Sequence, residues 1–193
     1  MASSPTIRSA TLADVPVVTD LTNMAGHGMP LWLWTEMAAP GEDPWEVGRR
    51  RRAARIDDSQ IYVIDEGAGA IACLTGYAQP AAPEPIPDDM PPVFRPLQEL
   101  ENLAPASWYV NVLAVLPAHR GRGLGSALLT KAEEVAAGAD LDRLSIIVES
   151  ANTGAKALYE RHGYREEARR PVVDGAAWGA DSTHWLLLTK NRI

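Results

Sequence analysis

Between Trp108 and Ser126 the chain carries the arrangement best suited to holding a phosphate. Trp108-Tyr109-Val110-Asn111-Val112-Leu113-Ala114-Val115 is β-prone and long enough for a central strand. Leu116-Pro117-Ala118-His119-Arg120 follows, then Gly121-Arg122-Gly123-Leu124-Gly125-Ser126, then an apolar helical stretch from Ala127 to Ala137. Glycines let a backbone approach a ligand, and the first N–H groups of a helix have no intrahelical partner. The helix dipole and the Arg120 and Arg122 side chains add attraction for an anion. Three phosphate-binding patterns compete for the loop. A Walker loop places a lysine directly after its last glycine, and no glycine here is followed by one. A dinucleotide turn needs its glycines close behind the strand and an acidic residue about 20 positions on. Gly121, Gly123 and Asp142 approach that spacing, but Pro117 to Arg120 separate turn from strand, and the strand lies late in the chain. The third pattern, Arg-x-x-Gly-x-Gly, is met by Arg120, Gly123 and Gly125.

A second constellation lies downstream. Ser145-Ile146-Ile147-Val148 reads as a buried strand, and Glu149-Ser150-Ala151-Asn152 leads into a helix from Thr153 to Arg161, ended by His162-Gly163-Tyr164 with a C-terminal glycine. Asn152 and Tyr159 are two helical turns apart and so share a face or its entry. Ala155, Leu158 and His162 share or flank that face, so part of it is core. Asn152 also suits a plain N-cap.

Val-Leu-Ala-Val-x-Pro-x-x-Arg-Gly-x-Gly-x-Gly over residues 112–125 and Asn-x-x-Ala-x-x-Leu-Tyr-x-x-x-Gly-Tyr over 152–164 resemble the GCN5-related N-acetyltransferase superfamily. The resemblance implies an α/β (α+β) fold with a central mixed, largely antiparallel sheet flanked by helices. In it the Leu113 and Ser145 strands splay apart to hold acetyl-CoA. It implies that backbone groups of Leu113, Ala114 and Val115 pair with the thioester and pantetheine, and that Arg120, Gly121, Arg122, Gly123, Leu124, Gly125 and Ser126 take the pyrophosphate. It places Asn152 on the pantetheine chain and Tyr159 beside the leaving thiolate. The co-substrate is then acetyl-CoA, with no metal, and the partner is an amine-bearing acceptor. Neither nucleic acid nor membrane is implied, and a homodimer is left open.

On this reading an amine attacks the thioester directly, without an acyl-enzyme; Cys73, in an early apolar strand, reads as a small buried hydrophobe. The ammonium must first lose a proton, so a base or water chain is required. Glu149, at the strand end beside Asn152, is the first choice; Glu99, Glu101 and a water chain through Tyr109 and Asn111 are the others. The functional expectation is an acetyl-CoA-dependent N-acetyltransferase, with a non-catalytic acyl-CoA sensor on the same fold as the alternative and a dinucleotide enzyme further behind. His119 reads as a surface residue.

These residues need elements to position them, and the chain supplies enough. Its 193 residues suit one domain, 1–193, and the acidic balance of 18 Lys+Arg against 25 Asp+Glu disfavours a nucleic-acid or anionic-membrane binder. One cysteine excludes an internal disulfide, and no Cys/His cluster offers a zinc site. No apolar run is long enough to span a membrane, and Met1-Ala2-Ser3-Ser4-Pro5 lacks a signal-peptide pattern, so a soluble, cytoplasmic protein is expected. A strand is expected at Thr6–Ala10, helices near Leu12–Met24, Leu31–Met37 and Pro44–Ile56, and a hairpin joining Ile61–Ile64 to Ala70–Thr75 through Glu66–Gly69. Arg49 to Arg52 with Arg55 read as a solvated helix face or as an anion contact. Eight of the fifteen prolines fall between Gln79 and Pro105, which marks an insertion at about 79–105 with one short helix near Leu97–Leu103.

Overall fold

The computed structural model describes residues 5–56, 61–173 and 182–192; Met1–Ser4, read above for a leader pattern, lie outside them. The chain forms two compact units, Met1–Gly76 with Val112–Leu128, and Tyr77–Asn111 with Leu129–Ile193.

The first unit begins with β1 (Thr6–Ser9), a 3-10 turn at Leu12–Asp14 and α1 (Val15–Ala25). Thr11 opens the helical segment through Asp14: the Thr11 amide and hydroxyl donate to the Asp14 carboxylate at 2.8 and 3.0 Å. Arg8 grips the same carboxylate with two N–H groups, at 2.7 and 2.9 Å, and reaches Asp65 at 2.6 Å. Gly28, at φ 93°, turns the chain into α2 (Met29–Met37). α3 (Pro44–Ala53) starts on Pro44 and is capped by Asp43, whose side chain accepts from the Trp45 N–H at 3.0 Å. Arg49 and Arg50 take the solvated reading, Arg49 pairing with Glu46 and Asp43 and Arg50 with Glu42, whereas Arg52 is half-buried, its Nε without a hydrogen-bond partner among the described residues. Gly48 faces the Trp34 ring, and a β-carbon built on it would lie 2.7 Å from that ring. β2 (Ile61–Asp65) pairs antiparallel with β1 and with β3 (Ala70–Ala78). Val18, Leu21, Val63, Cys73, Val112 and Ala114 form its core.

The second unit contains the proline-rich segment 79–105, which is tied down by hydrogen bonds and carries one helix. At its base Gln79 N–H donates to Ser107 O and Ala106 N–H to Pro80 O, at 2.7 and 2.8 Å. Its helix, α4 (Arg95–Glu101), buries Leu100 completely, while Leu103 lies beyond the helix end and is 41% exposed. Asn102 pins the coil to that end: its amide donates to Glu84 O at 2.8 Å and accepts from Glu84 N–H at 3.0 Å.

β4 (Trp108–Val115) follows, then α5 (Leu124–Gly138), β5 (Arg143–Glu149), α6 (Thr153–Arg161), β6 (Arg165–Pro171) and β7 (His184–Asn191). β3 and β4 each begin in one unit and end in the other. The hydrogen-bonded strand order is β1-β2-β3-β4-β5-β7-β6, a seven-stranded, mostly antiparallel sheet with flanking helices. The parallel ladder between β4 and β5 has three registered pairs, Trp108–Leu144, Tyr109–Ser145 and Val110–Ile146; both strands continue beyond it. α5 begins at Leu124, a turn earlier than the apolar pattern suggests, because Gly125 and Ser126 sit inside its first turn. β6 and β7 were not foreseen. Among the described residues no helix is long and apolar enough to cross a membrane.

Candidate active site

The first unit holds the glycine loop read from sequence as the candidate anion site. Gly121 and Gly123 adopt φ of 75° and 79°, a left-handed conformation natural only to glycine. A β-carbon built at either meets no atom of the described residues within 4 Å, so the backbone there is open to a ligand. The first helical donor of α5 is the Ala127 N–H, to Gly123 O at 3.0 Å; the N–H groups of Leu124 and Gly125 precede the ladder and point off the helix end. Ala114 is buried in the core, while Leu113 and Val115 are half-buried.

The loop arginines already have protein partners. Arg120 donates from Nε to the Val115 carbonyl at 3.1 Å and lies 3.4 Å from Met24 Sδ. Arg122 forms an ion pair with Glu66 of the β2–β3 hairpin and lies 3.0 Å from His119 Nδ1, itself 3.4 Å from Glu66. The Arg122 guanidinium holds the Glu66 carboxyl below the usual carboxylate range. Glu66 and His119 thus order the loop, a role that neither position advertises in sequence.

In the second unit Asn152 caps α6, its Oδ1 accepting from Ala155 N–H at 3.2 Å. That bond leaves its Nδ2 donors without a partner among the described residues. Tyr159 stands two turns along and is 5% exposed, its ring 6.0 Å from that of Tyr164. Gly163, at φ 86°, closes the helix, and Tyr164 N–H donates back to Tyr159 O at 3.1 Å. No described group hydrogen-bonds the Tyr159 hydroxyl, and burial raises its phenol well above the usual tyrosine range.

The second unit also separates the carboxylates proposed as base. Glu149 is buried at the end of β5, opposite Trp185 in the β7 register, and its carbonyl accepts from Asn152 N–H at 3.0 Å. Glu99 is bound by Arg170 of β6, at 2.6 Å. Glu101 accepts from Tyr77 Oη at 3.1 Å and from Gln79 Nε2 at 2.8 Å. Burial raises the Glu101 carboxyl, opposed by the Gln79 and Tyr77 hydrogen bonds, and nearby Glu84 raises it further. Tyr109 is buried edge-on to Tyr77, centroids 5.3 Å apart. Its phenol is raised by burial, then by Glu101 and Tyr77, with hydrogen bonding by Asn111 opposing and Tyr159 adding a further rise. Tyr77 and Gln79, which hold the Glu101 carboxylate, were not singled out from sequence, since nothing in Gly76-Tyr77-Ala78-Gln79 marks them.

A mixed sheet carrying a strand, a glycine loop at positive φ and an open helix start is an arrangement that can hold a phosphate-bearing ligand. The sequence profile of the Acetyltransferase (GNAT) family matches residues 29–164, and the chain belongs to that family. It is 26% identical over 187 residues to the L-methionine sulfoximine/L-methionine sulfone acetyltransferase of Pseudomonas paraeruginosa, covering 96% of this chain and 92% of that protein. It is 42% identical over 74 residues to the mycothiol acetyltransferase of Beutenbergia cavernae, but the match covers only 38% of this chain and 23% of that protein. Among solved structures, a GNAT family acetyltransferase from Elizabethkingia anophelis with acetyl-CoA bound superposes with a TM-score of 0.55 at 18% identity, covering 97% of each chain. By family and fold the chain is an acetyltransferase.

Proposed function

We propose that the chain transfers the acetyl group of acetyl-CoA to the amine of a small, amino-acid-like acceptor in the cytoplasm. The observation that carries the cofactor half is the loop at Arg120–Ser126: two glycines at positive φ, open backbone and an exposed helix start. The acceptor half rests on the likeness, along nearly the whole chain, to an enzyme named for L-methionine sulfoximine and L-methionine sulfone.

In this reading backbone groups of Leu113, Ala114 and Val115 align the pantetheine and thioester, and the loop N–H groups hold the pyrophosphate. Asn152 Nδ2 donates to the pantetheine chain while Oδ1 keeps its capping bond. Tyr159 donates a hydrogen bond to sulfur as negative charge gathers there. Glu149 and Glu101 are the two candidates for the base. No acyl-enzyme forms: Cys73 is fully buried, and burial pushes its thiol up to about 12, so it supplies no thiolate.

The test has two arms. A thermal-shift series compares acetyl-CoA with NAD, since only a ligand of the native state raises Tm. A panel of amines, with L-methionine sulfone and sulfoximine among them, is then assayed for thiol release from acetyl-CoA. Stabilisation by acetyl-CoA and amine-dependent thiol release are expected. Stabilisation with no turnover across the panel contradicts the enzyme reading and leaves a sensor.

A further inference from the structure

We propose that Glu101, carried at the end of the insertion's helix, takes the proton from the acceptor's ammonium, with Tyr77 and Gln79 as the residues that position it. The inference rests on the acetyl-transfer reading and adds the residue that makes the amine nucleophilic.

The hydrogen bonds to the Glu101 carboxylate, from Tyr77 Oη at 3.1 Å and Gln79 Nε2 at 2.8 Å, both fall on Oε2. Oε1 is left without a hydrogen-bond partner among the described residues, so one carboxylate oxygen is anchored and the other is available. Two donors on one oxygen fix the plane of the carboxylate, which is what a positioned base needs. The scaffold behind it is firm: Leu100 is fully buried, Asn102 ties the helix end to Glu84 in both directions, and Gln79 N–H is bound to Ser107 O. A proline-rich insertion held this tightly is built to deliver a side chain.

The surrounding charges single out Glu101 from its neighbours. Glu99, two residues earlier, is ion-paired to Arg170 of β6, so its carboxylate is already taken up by a cation. Of the other ionisable groups on the strands packed against α4, Arg169 and Glu166 of β6 pair with each other, and Glu167 pairs with Arg143 of β5. Lys190 of β7 pairs with Glu133, and Glu149 ends β5, in register with Trp185 of β7. Glu84, in the insertion, raises the proton affinity of Glu101, as does its burial. No cation among the described residues is bound to it. A desolvated carboxylate with raised proton affinity and an open oxygen is suited to receive both an ammonium group and its proton.

The same cluster continues to Tyr109. Tyr77 donates to Glu101 and packs edge-on against Tyr109, and Tyr109 responds electrostatically both to Glu101 and to Tyr159. The chemistry balances as follows. Glu101 carboxylate takes one proton from the ammonium and becomes a carboxylic acid, later returning that proton to solvent. The neutral amine nitrogen bonds to the thioester carbonyl carbon, and the C–S bond breaks with its electron pair on sulfur. The second amine proton, lost as the amide forms, ends on the thiolate to give free CoA thiol. The acceptor is therefore a cationic amine.

Glu101→Gln keeps the shape and an oxygen acceptor for Tyr77 and Gln79 while removing the basic group. It is assayed with the fastest acceptor of the panel, L-methionine sulfone on the reading above, across pH, with acetyl-CoA affinity measured by calorimetry. The expected result is kcat lower by roughly 100- to 10,000-fold near neutral pH, with acetyl-CoA affinity within about twofold of the parent. The deficit should shrink as pH rises towards the amine's own pKa, where the acceptor arrives neutral. A kcat within about threefold of the parent with the same pH profile overturns the assignment, as does a loss matched by lost acetyl-CoA affinity. Tyr77→Phe is the second variant: it removes a hydrogen bond that favours the charged form, so the acid limb of the parent's pH profile should move to higher pH. A limb that stays in place overturns the proposal even if Glu101→Gln does not fold. Amine-dependent turnover by the parent establishes acetyl transfer separately, so normal turnover in Glu101→Gln would overturn the base alone.

Discussion

Tyr159→Phe removes one oxygen from a ring that the second unit holds by packing alone. The hydroxyl has no hydrogen-bond partner among the described residues, so its loss leaves no donor or acceptor stranded. The ring keeps its place against Tyr164, and a nearly isosteric change should cost less than about 1.5 kcal/mol of stability. The kinetic cost is larger. Burial raises the phenol, which keeps it protonated and makes full proton transfer to sulfur more uphill than the ordinary tyrosine–thiol difference of about 2 kcal/mol. On the proposed reading Tyr159 therefore serves as a hydrogen-bond donor to the developing thiolate. A hydrogen bond to a charged group contributes about 1.5–3 kcal/mol, which converts to roughly 10- to 200-fold in rate. Because the charge exists mainly in the transition state, kcat and kcat/KM should fall together while acetyl-CoA affinity stays within about twofold. The assay is thiol release at saturating acetyl-CoA, under conditions where chemistry limits the rate, with calorimetric titration alongside. A kcat within about twofold of the parent refutes the donor role; a large loss of Tm or of cofactor affinity would show that the residue serves packing instead.

Further predictions follow from the first unit. Gly123→Val should weaken acetyl-CoA binding at least about tenfold, because a β-branched residue resists φ of 79° although no described atom would clash with its β-carbon; unchanged affinity in calorimetry would remove the phosphate loop. Gly48→Ala drives a β-carbon to 2.7 Å from the Trp34 ring, and overpacking of about 1–3 kcal/mol outweighs the roughly 1 kcal/mol gained in helix propensity. Its Tm should fall, and a rise of several degrees would contradict that packing. Arg8 first, and Thr11 after it, hold the Asp14 carboxyl below its usual range against the opposing effect of burial. The bonds thus add stability above the unfolded carboxylate pKa and lose it as pH falls through the folded one. Asp14→Asn should lower stability by about 2–3 kcal/mol near neutrality and by progressively less in acid, read from urea melts across pH; a deficit constant down to strongly acidic pH contradicts it.

Much of the site could be read from sequence where its chemistry is local. The Trp108–Ser126 stretch and the Asn152–Tyr164 helix carry their meaning within a few residues, so strand, loop, cap and closing glycine were all legible. Long-range partners were not. Arg122 meets Glu66 across 56 residues, and Tyr77 meets Glu101 across 24, so neither the loop's ion pair nor the anchored carboxylate is visible until the chain folds. β6 escaped for a different reason. Arg165-Glu166-Glu167-Ala168-Arg169-Arg170-Pro171 looks like a solvated charged run, yet it is an edge strand whose charges are satisfied sideways by Lys156, Arg143 and Glu99. Charge and a terminal proline suit an edge, where an apolar strand would invite aggregation. β7, with its Trp185-Leu186-Leu187-Leu188 run buried, is a short continuous apolar run in which periodicity alone does not separate strand from helix.

The central claim is direct acetyl transfer from acetyl-CoA to an amine, and a quenched single-turnover experiment read by mass spectrometry tests it most directly. The protein, in excess over acetyl-CoA, is mixed with L-methionine sulfone or the panel's fastest amine, and chain, thiol and amine are weighed at successive times. The account predicts N-acetylated amine appearing in step with free CoA thiol, while the chain, with Cys73 buried, gains no acetyl group at any time. Thiol release without acetylated amine, or an acetylated chain that forms and decays before product appears, would contradict it.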